Sequence, residues 1–453
     1  MHAPKRWPTW LIYTLAATPA LAFYWLLARS AFNLPVVDDY HAVLDFTDRF
    51  SRLSGLGARL GYIVNFQHNE YKLVFENAIF AIQYALFGNV NFAALSMIGN
   101  AFVLVLFVQL AMAFRTSTQG NAARVLLLLP VGLVLFQLQY ASTLNFSMAG
   151  LQNLPVLAFA LAAITLLAKD SPGRFPGAGV AMLLAVAASG SGFLLGPVGI
   201  LMLAERRRWK HAAVWIVVSA VIALVYFNHY DFHSSQANPD GSNAKPGAHF
   251  NIMYMLAFMG SSIARYQGYG PSIGAGILLL LVWAFASRKR YFKENPTVFH
   301  FFVFLLLTAA GVSAIRSGLG LEQSLASRYR IYSNLLFILT YIFLAESYLL
   351  PMKDRRKQRV ISGLIVACGL GFCVLSDMAG FRFLKGRQQA VTYEMAAWQA
   401  ARRPVGKEVD SQPALNLDPA VARQLATGLY KPATATLVES MALGIYRPPS
   451  PPK

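Results

Sequence analysis

Apolar residues run along this chain in long, nearly uninterrupted blocks separated by short basic turns. At about 1.5 Å per residue, a block of roughly 20 residues crosses a hydrocarbon core of about 30 Å. Each block therefore reads as a helix, and the fold class is an all-α polytopic membrane helical bundle. The blocks predict about 11 transmembrane helices, at 9–28, 91–114, 125–140, 149–168, 177–190, 191–205, 211–228, 271–287, 297–315, 332–350 and 360–376. The first ends at Tyr24-Trp25 followed by Arg29 and lacks a small-residue cleavage site, which predicts a retained anchor. Segment 71–87 is long enough to cross a thin bilayer, but Lys72, Glu76 and Gln83 fall on one face at helical spacing, so it reads as an external interfacial helix.

Composition agrees with that pattern. With 56% hydrophobic and 13% charged residues over 453 positions, the chain lies far from the ~25% charged content of soluble domains. The surplus of 39 Lys and Arg over 20 Asp and Glu would suggest nucleic acid in a soluble protein, yet the basic residues cluster in alternate turns. Those turns hold Arg115 and Arg124, Lys169 and Arg174, Arg206 to Lys210, Arg288 to Lys293, and Lys353 to Arg359. By the positive-inside rule they face the cytoplasm, with no nucleic-acid partner, a cytoplasmic N-terminus, an extracytoplasmic C-terminus and a bacterial inner membrane as the expected location. Two units follow: 1–376, a membrane domain with external loop 29–90, and 377–453, a small extracytoplasmic tail or cap. Cys368 and Cys373, five apart on one helix, are not stacked for a disulfide.

Polar chemistry gathers in the external loops. Asp38 and Asp39 stand directly after the first span, where a carboxylate can take a proton from an acceptor hydroxyl or hold a divalent cation, or where Asp39 simply caps the amphipathic helix predicted over 40–53. Asn65 to Lys72 forms a second titratable run, in which Glu70 and His68 can face the two aspartates and Lys72 can hold a phosphate. Arg328, Tyr329 and Arg330 at the outer end of the tenth span suit a lipid phosphate or an interfacial anchor, with Arg316 and Arg265 as weaker candidates. The amides from Asn145 to Asn153 can meet sugar hydroxyls or cap helix ends, and Ser189 to Gly192 reads as a packing turn. His229, Asp231 and His233 lack the glutamate of a zinc-protease helix, so no metal ligand is assigned.

The order of a membrane helix, Asp38-Asp39, an amphipathic helix, His68-Asn69-Glu70-Tyr71, a helix closing on Leu86-Phe87-Gly88 and a span opening at Asn91-Phe92 resembles the start of GT-C class polyprenyl-phosphate-dependent glycosyltransferases, such as protein O-mannosyltransferases and aminoarabinose transferases. The likeness covers about the first 115 residues. Asn69-Glu70 departs from the family at positions where it carries prolines, which leaves Glu70 or His68 for the second acidic role. The resemblance implies a polyprenyl-phosphate-linked sugar donor, a glycan, lipid or protein acceptor, catalysis by Asp38 or Asp39 with Glu70, and no cofactor beyond a divalent cation. Against it stand a lipid-linked glycan transporter or flippase and a non-catalytic membrane scaffold. A transporter is expected to carry ionisable groups near the membrane midplane, whereas here the carboxylates collect in the loops.

Overall fold

The computed structural model describes residues 9–115, 121–169, 171, 173–232, 249–264, 268–401, 441–442 and 444–447. The predicted linker at 234–247, His233, Arg265 and most of the chain beyond 401 lie outside the described residues. The described residues are helical almost throughout. After α1 (Thr9–Ser30), the first loop builds a π-helical turn (Tyr40–Asp45), α2 (Phe46–Arg52), α3 (Leu56–Asn65), a hairpin of β1 (Gln67–His68) and β2 (Tyr71–Lys72), and α4 (Val74–Phe87). Next come α5 (Phe92–Ala113), α6 (Asn121–Leu135), α7 (Ala141–Leu144), α8 (Ser147–Leu167), α9 (Arg174–Ala188), α10 (Leu195–Glu205) and α11 (Trp209–Phe227). The remainder is α12 (Ile252–Met259), α13 (Gly270–Arg288), α14 (Tyr291–Glu294), α15 (Pro296–Arg316), α16 (Arg330–Leu344) and α17 (Arg355–Ala401).

Among the described residues, eight helical segments are long and apolar enough to cross a membrane: 92–113, 125–144, 147–167, 209–227, 270–288, 296–319, 327–349 and 355–392. The other three predicted spans are helical as α1, α9 and α10. The last two are shorter and joined by a 3-10 turn at Gly190–Leu194. Gly192 makes that turn possible, because a Cβ there would come within 2.4 Å of the Ala185 backbone. The predicted boundary at 376/377 falls inside α17, a single helix of 47 residues.

Two large apolar cores, with a small third cluster of Ala42, Leu73 and Met148, fill the described residues. The larger joins the long helices around residues such as Leu106, Leu157, Trp215 and Leu335. The smaller lies under the first loop, where Tyr40, Phe46, Phe80 and Phe92 meet Val391 of α17 and Ile445-Tyr446. Ile445 O accepts from Val90 N at 2.7 Å, and the Tyr446 hydroxyl donates to Asn33 O at 2.8 Å, so Ile445 and Tyr446 pack against this cap. α4 carries its polar stripe inward: Glu76, Asn77 and Gln83 are buried while Ile82, Leu86 and Phe87 are exposed. That inversion suits a helix whose outer face meets lipid.

All the strongly basic turns collect at the end opposite this cap. There the buried Glu346 carboxylate accepts from Arg115 N at 2.7 Å, Arg115 Nε at 3.0 Å, the Tyr291 hydroxyl at 2.8 Å and Asn295 Nδ2 at 3.0 Å, tying α5, α14, α15 and α16 together. Glu346→Ala leaves these donors facing a void and should cost about 2 to 3 kcal/mol, since Arg115 retains access to water. Thermal unfolding in detergent checks this, and an unchanged midpoint would remove Glu346 as the hub of that end.

Candidate functional site at the capped end

The two adjacent aspartates face opposite ways. Val37 before them has φ +51°, a left-handed conformation that a β-branched residue adopts only when its surroundings impose it, and the π-helical turn starts directly after them. Asp39 is 1% exposed and points inward. Its Oδ1 accepts from Met148 N at 3.0 Å and its Oδ2 from Val36 N at 3.3 Å, while no side-chain bond caps its own helix. The carboxylate instead sits on the first turn of α8, where unpaired N–H groups and the helix dipole favour negative charge. Burial nevertheless dominates and raises its pKa to about 7, against the pull of the backbone N–H groups of Met148, Val36 and Ser147. Asp38 stays half-exposed, with Oδ1 3.9 Å from Nε2 of His68.

The hairpin 67–72 carries the next groups. Asn69 turns it with φ +48°, pairing His68 with Tyr71 and Gln67 with Lys72. On the side toward the aspartates, the His68 ring stacks on His41 with centroids 6.4 Å apart, and His41 Nδ1 lies 2.8 Å from Asp45 Oδ2, a bond that raises the His41 pKa. Toward the bundle, Arg316 pairs with Glu70 and donates to the Tyr71 hydroxyl at 2.6 Å. The hairpin is latched to the end of α11 as well: the Tyr230 hydroxyl donates to Glu70 O at 2.8 Å, and the Gln67 amide bonds both backbone groups of Asp231. Lys72 is 1% exposed, its ammonium donating to Asn228 O at the C-terminal cap of α11, and burial lowers its pKa. In this arrangement Lys72 braces the hairpin and is turned away from the opening.

Past Glu70 comes a cluster of arginine and phenol groups. The Arg328 guanidinium lies over the Tyr329 ring at 5.1 Å, and Tyr329 packs on Phe258 at 4.9 Å. Tyr254 stands within electrostatic reach of Tyr329, Arg328 and Arg316, and burial raises the pKa of both Tyr254 and Tyr71. Arg330 opens α16. Arg316, a secondary candidate from sequence, thus holds Glu70 and Tyr71 and stands within electrostatic reach of Tyr329.

The Asn145–Asn153 amides serve as braces: Asn145 Oδ1 accepts from Arg387 at 2.8 Å, and Asn153 Oδ1 accepts from the Tyr332 hydroxyl at 3.1 Å. Sequence reasoning passed over three groups. Arg387 is 3% exposed in α17; set between Lys385 and Gln388-Gln389, it gave no signal in the sequence. Tyr254 gave none. Glu76 was assigned to a solvated face, yet it is fully buried and neither oxygen has a hydrogen-bond partner among the described residues. Among the described residues no three carboxylate, imidazole or thiol groups are placed to hold a metal ion. No protein-family model, curated protein or solved structure matches this chain.

Proposed function

We propose that this protein is a membrane glycosyltransferase of the GT-C kind, moving a sugar from a polyprenyl-phosphate donor to an acceptor hydroxyl on the extracytoplasmic face. The observation that carries the reading is the half-exposed Asp38, set beside His68 by a strained Val37, with the Glu70–Arg316–Tyr71 group across the same hairpin. Asp38 is the general base. It takes the acceptor proton, the hydroxyl oxygen forms a bond to the anomeric carbon, and the bond from that carbon to the phosphate oxygen breaks, the electron pair leaving with polyprenyl phosphate. Asp39 positions: its carboxyl fastens the Asp38 segment to α8. Arg328, Tyr329 and Arg330 hold the donor phosphate, with Arg316 beside them and Glu70 and His68 lining the acceptor side. The cap over 31–91 excludes water that would otherwise hydrolyse the donor.

In this reading the chain crosses a bacterial inner membrane eleven times, α1, α9 and α10 included, with its basic turns in the cytoplasm. Transfer from radiolabelled polyprenyl-phosphate sugars in reconstituted membranes tests it. The wild type should label an acceptor from one donor of the panel, and Arg328→Ala should raise the donor KM about tenfold, the loss of one charge-assisted contact. Absence of transfer from every donor, in membranes that supply the native acceptor, overturns the reading.

A further inference from the structure

The stretch of α17 past residue 376 has no part in the chemistry above, yet it reaches the backbone behind both halves of the site. Asp377, Gly380 and Arg387 share one face of the helix at about 100° per residue, and that face follows the chain from Leu138 to Asn145. Asp377 Oδ1 accepts from Leu138 N at 2.8 Å, and at Gly380 the two backbones approach so closely that a Cβ would collide with Leu138 O. One turn and a half further on, Arg387 Nη1 donates to Asn145 Oδ1 at 2.8 Å and to Ser142 O at 3.3 Å. On the adjoining side the Lys385 ammonium donates to Arg29 O and the Gln388 amide to Ala31 O at 2.9 Å, carbonyls at and just past the end of α1.

A guanidinium is costly to bury, and Arg387 is buried over the Phe383 ring at 4.9 Å to hold one object, the turn between α7 and α8. Two hydrogen-bond routes leave that turn. Three residues after Asn145, Met148 N donates to Asp39 Oδ1 and so fastens the Asp38 segment. In the other direction Ser142 N donates at 3.1 Å to Oγ of Ser327, the residue directly before Arg328 and Tyr329, and that hydroxyl donates in turn to Gln139 O at 3.2 Å. The carbonyl of Ser142 therefore meets Arg387 while its N–H meets the Ser327 segment. We infer that Arg387 is a positioning residue: it fixes the turn from which Asp38 and Arg328 both take their places, and thereby sets the gap between the base and the phosphate-binding arginine. Its effect on catalysis rests on the transferase reading above, whereas its hold on the turn stands on these contacts alone.

Misplacing reacting groups by about 1 Å costs on the order of 100-fold in rate while each group keeps its own contacts to substrate. Arg387→Met should accordingly lower kcat by about tenfold or more and leave the donor KM within about twofold. Arg387→Lys returns a charge and a donor to the same place and should recover most of the loss. In nanodiscs, hydrogen exchange over 142–150 should quicken at least tenfold in Arg387→Met, while α13 and α15 keep their wild-type rates. Should Arg387→Met fail to fold, Asn145→Leu, which removes the acceptor instead of the donor, carries the same expectations. An unchanged kcat in the folded variant overturns the inference, as does a lysine variant no better than the methionine one. Faster exchange spread evenly over the helices also overturns it, because it marks general loosening. If the wild type transfers no sugar, the transferase reading falls on its own; faster exchange confined to 142–150 then keeps the hold of Arg387 on the turn, and unchanged exchange there removes it.

Discussion

Asp38→Asn should lower the rate of sugar transfer by ~10²- to 10⁴-fold while leaving the unfolding midpoint where it was. The carboxylate is half-exposed and lies 3.9 Å from Nε2 of the His68 ring, beyond hydrogen-bond distance, so the fold draws little from it. An amide of the same shape keeps the contacts of the loop and removes only the capacity to take a proton. Asp39→Asn should do the reverse. Oδ1 can still accept from Met148 N, but the amide NH₂ then meets the donor Val36 N, so this variant loses stability first and activity only as far as the Asp38 segment shifts. Measuring kcat and the unfolding midpoint for both variants separates the two roles. A stable Asp39→Asn protein without activity, beside an active Asp38→Asn protein, would reverse the assignment.

The contrast between these neighbours shows what a sequence holds and what it withholds. Spans such as 271–287 and 297–315 reappear as α13 and α15 to within two residues, because bilayer thickness imposes a length that composition alone reveals. The Asp-Asp pair is just as visible, but which member turns inward depends on a backbone N–H 109 residues away. The same limit explains α4. Its polar stripe is legible, but whether such a stripe faces water or protein depends on what covers it, and here the cap and the bundle do. For α17, composition marks where the apolar run ends but carries no stop signal near residue 377, and the helix runs on beside the cap, where Arg387 reaches Asn145.

Rising pH should weaken the fold between about pH 4 and 7, and two buried carboxyls account for the direction. Below pH 4 the Asp39 carboxyl holds its proton in both the folded and the unfolded chain. Above that, the unfolded chain releases it while the folded one keeps it until about pH 7, so each unit of pH favours unfolding. The full span corresponds to about 4 kcal/mol, complete above pH 7. Glu76 acts with the same sign and over a window that continues upward from 4.5, because burial alone raises its pKa and neither oxygen is bonded among the described residues. His41, held protonated by Asp45, adds a loss of the same sign that begins near pH 6.5. The informative quantity is therefore the difference between wild type and variant at each pH. Asp39→Asn should flatten the dependence between pH 4 and 7, and Glu76→Met should raise stability at pH 8 by about 1 to 3 kcal/mol, since an apolar side chain of similar volume removes a desolvated group that nothing compensates. Denaturation midpoints in mild detergent at pH 4, 6 and 8 decide it. If wild-type stability climbs with pH across that range, Asp39 is ionised in the fold, and its carboxylate is held by the α8 N-terminus more strongly than burial penalises it.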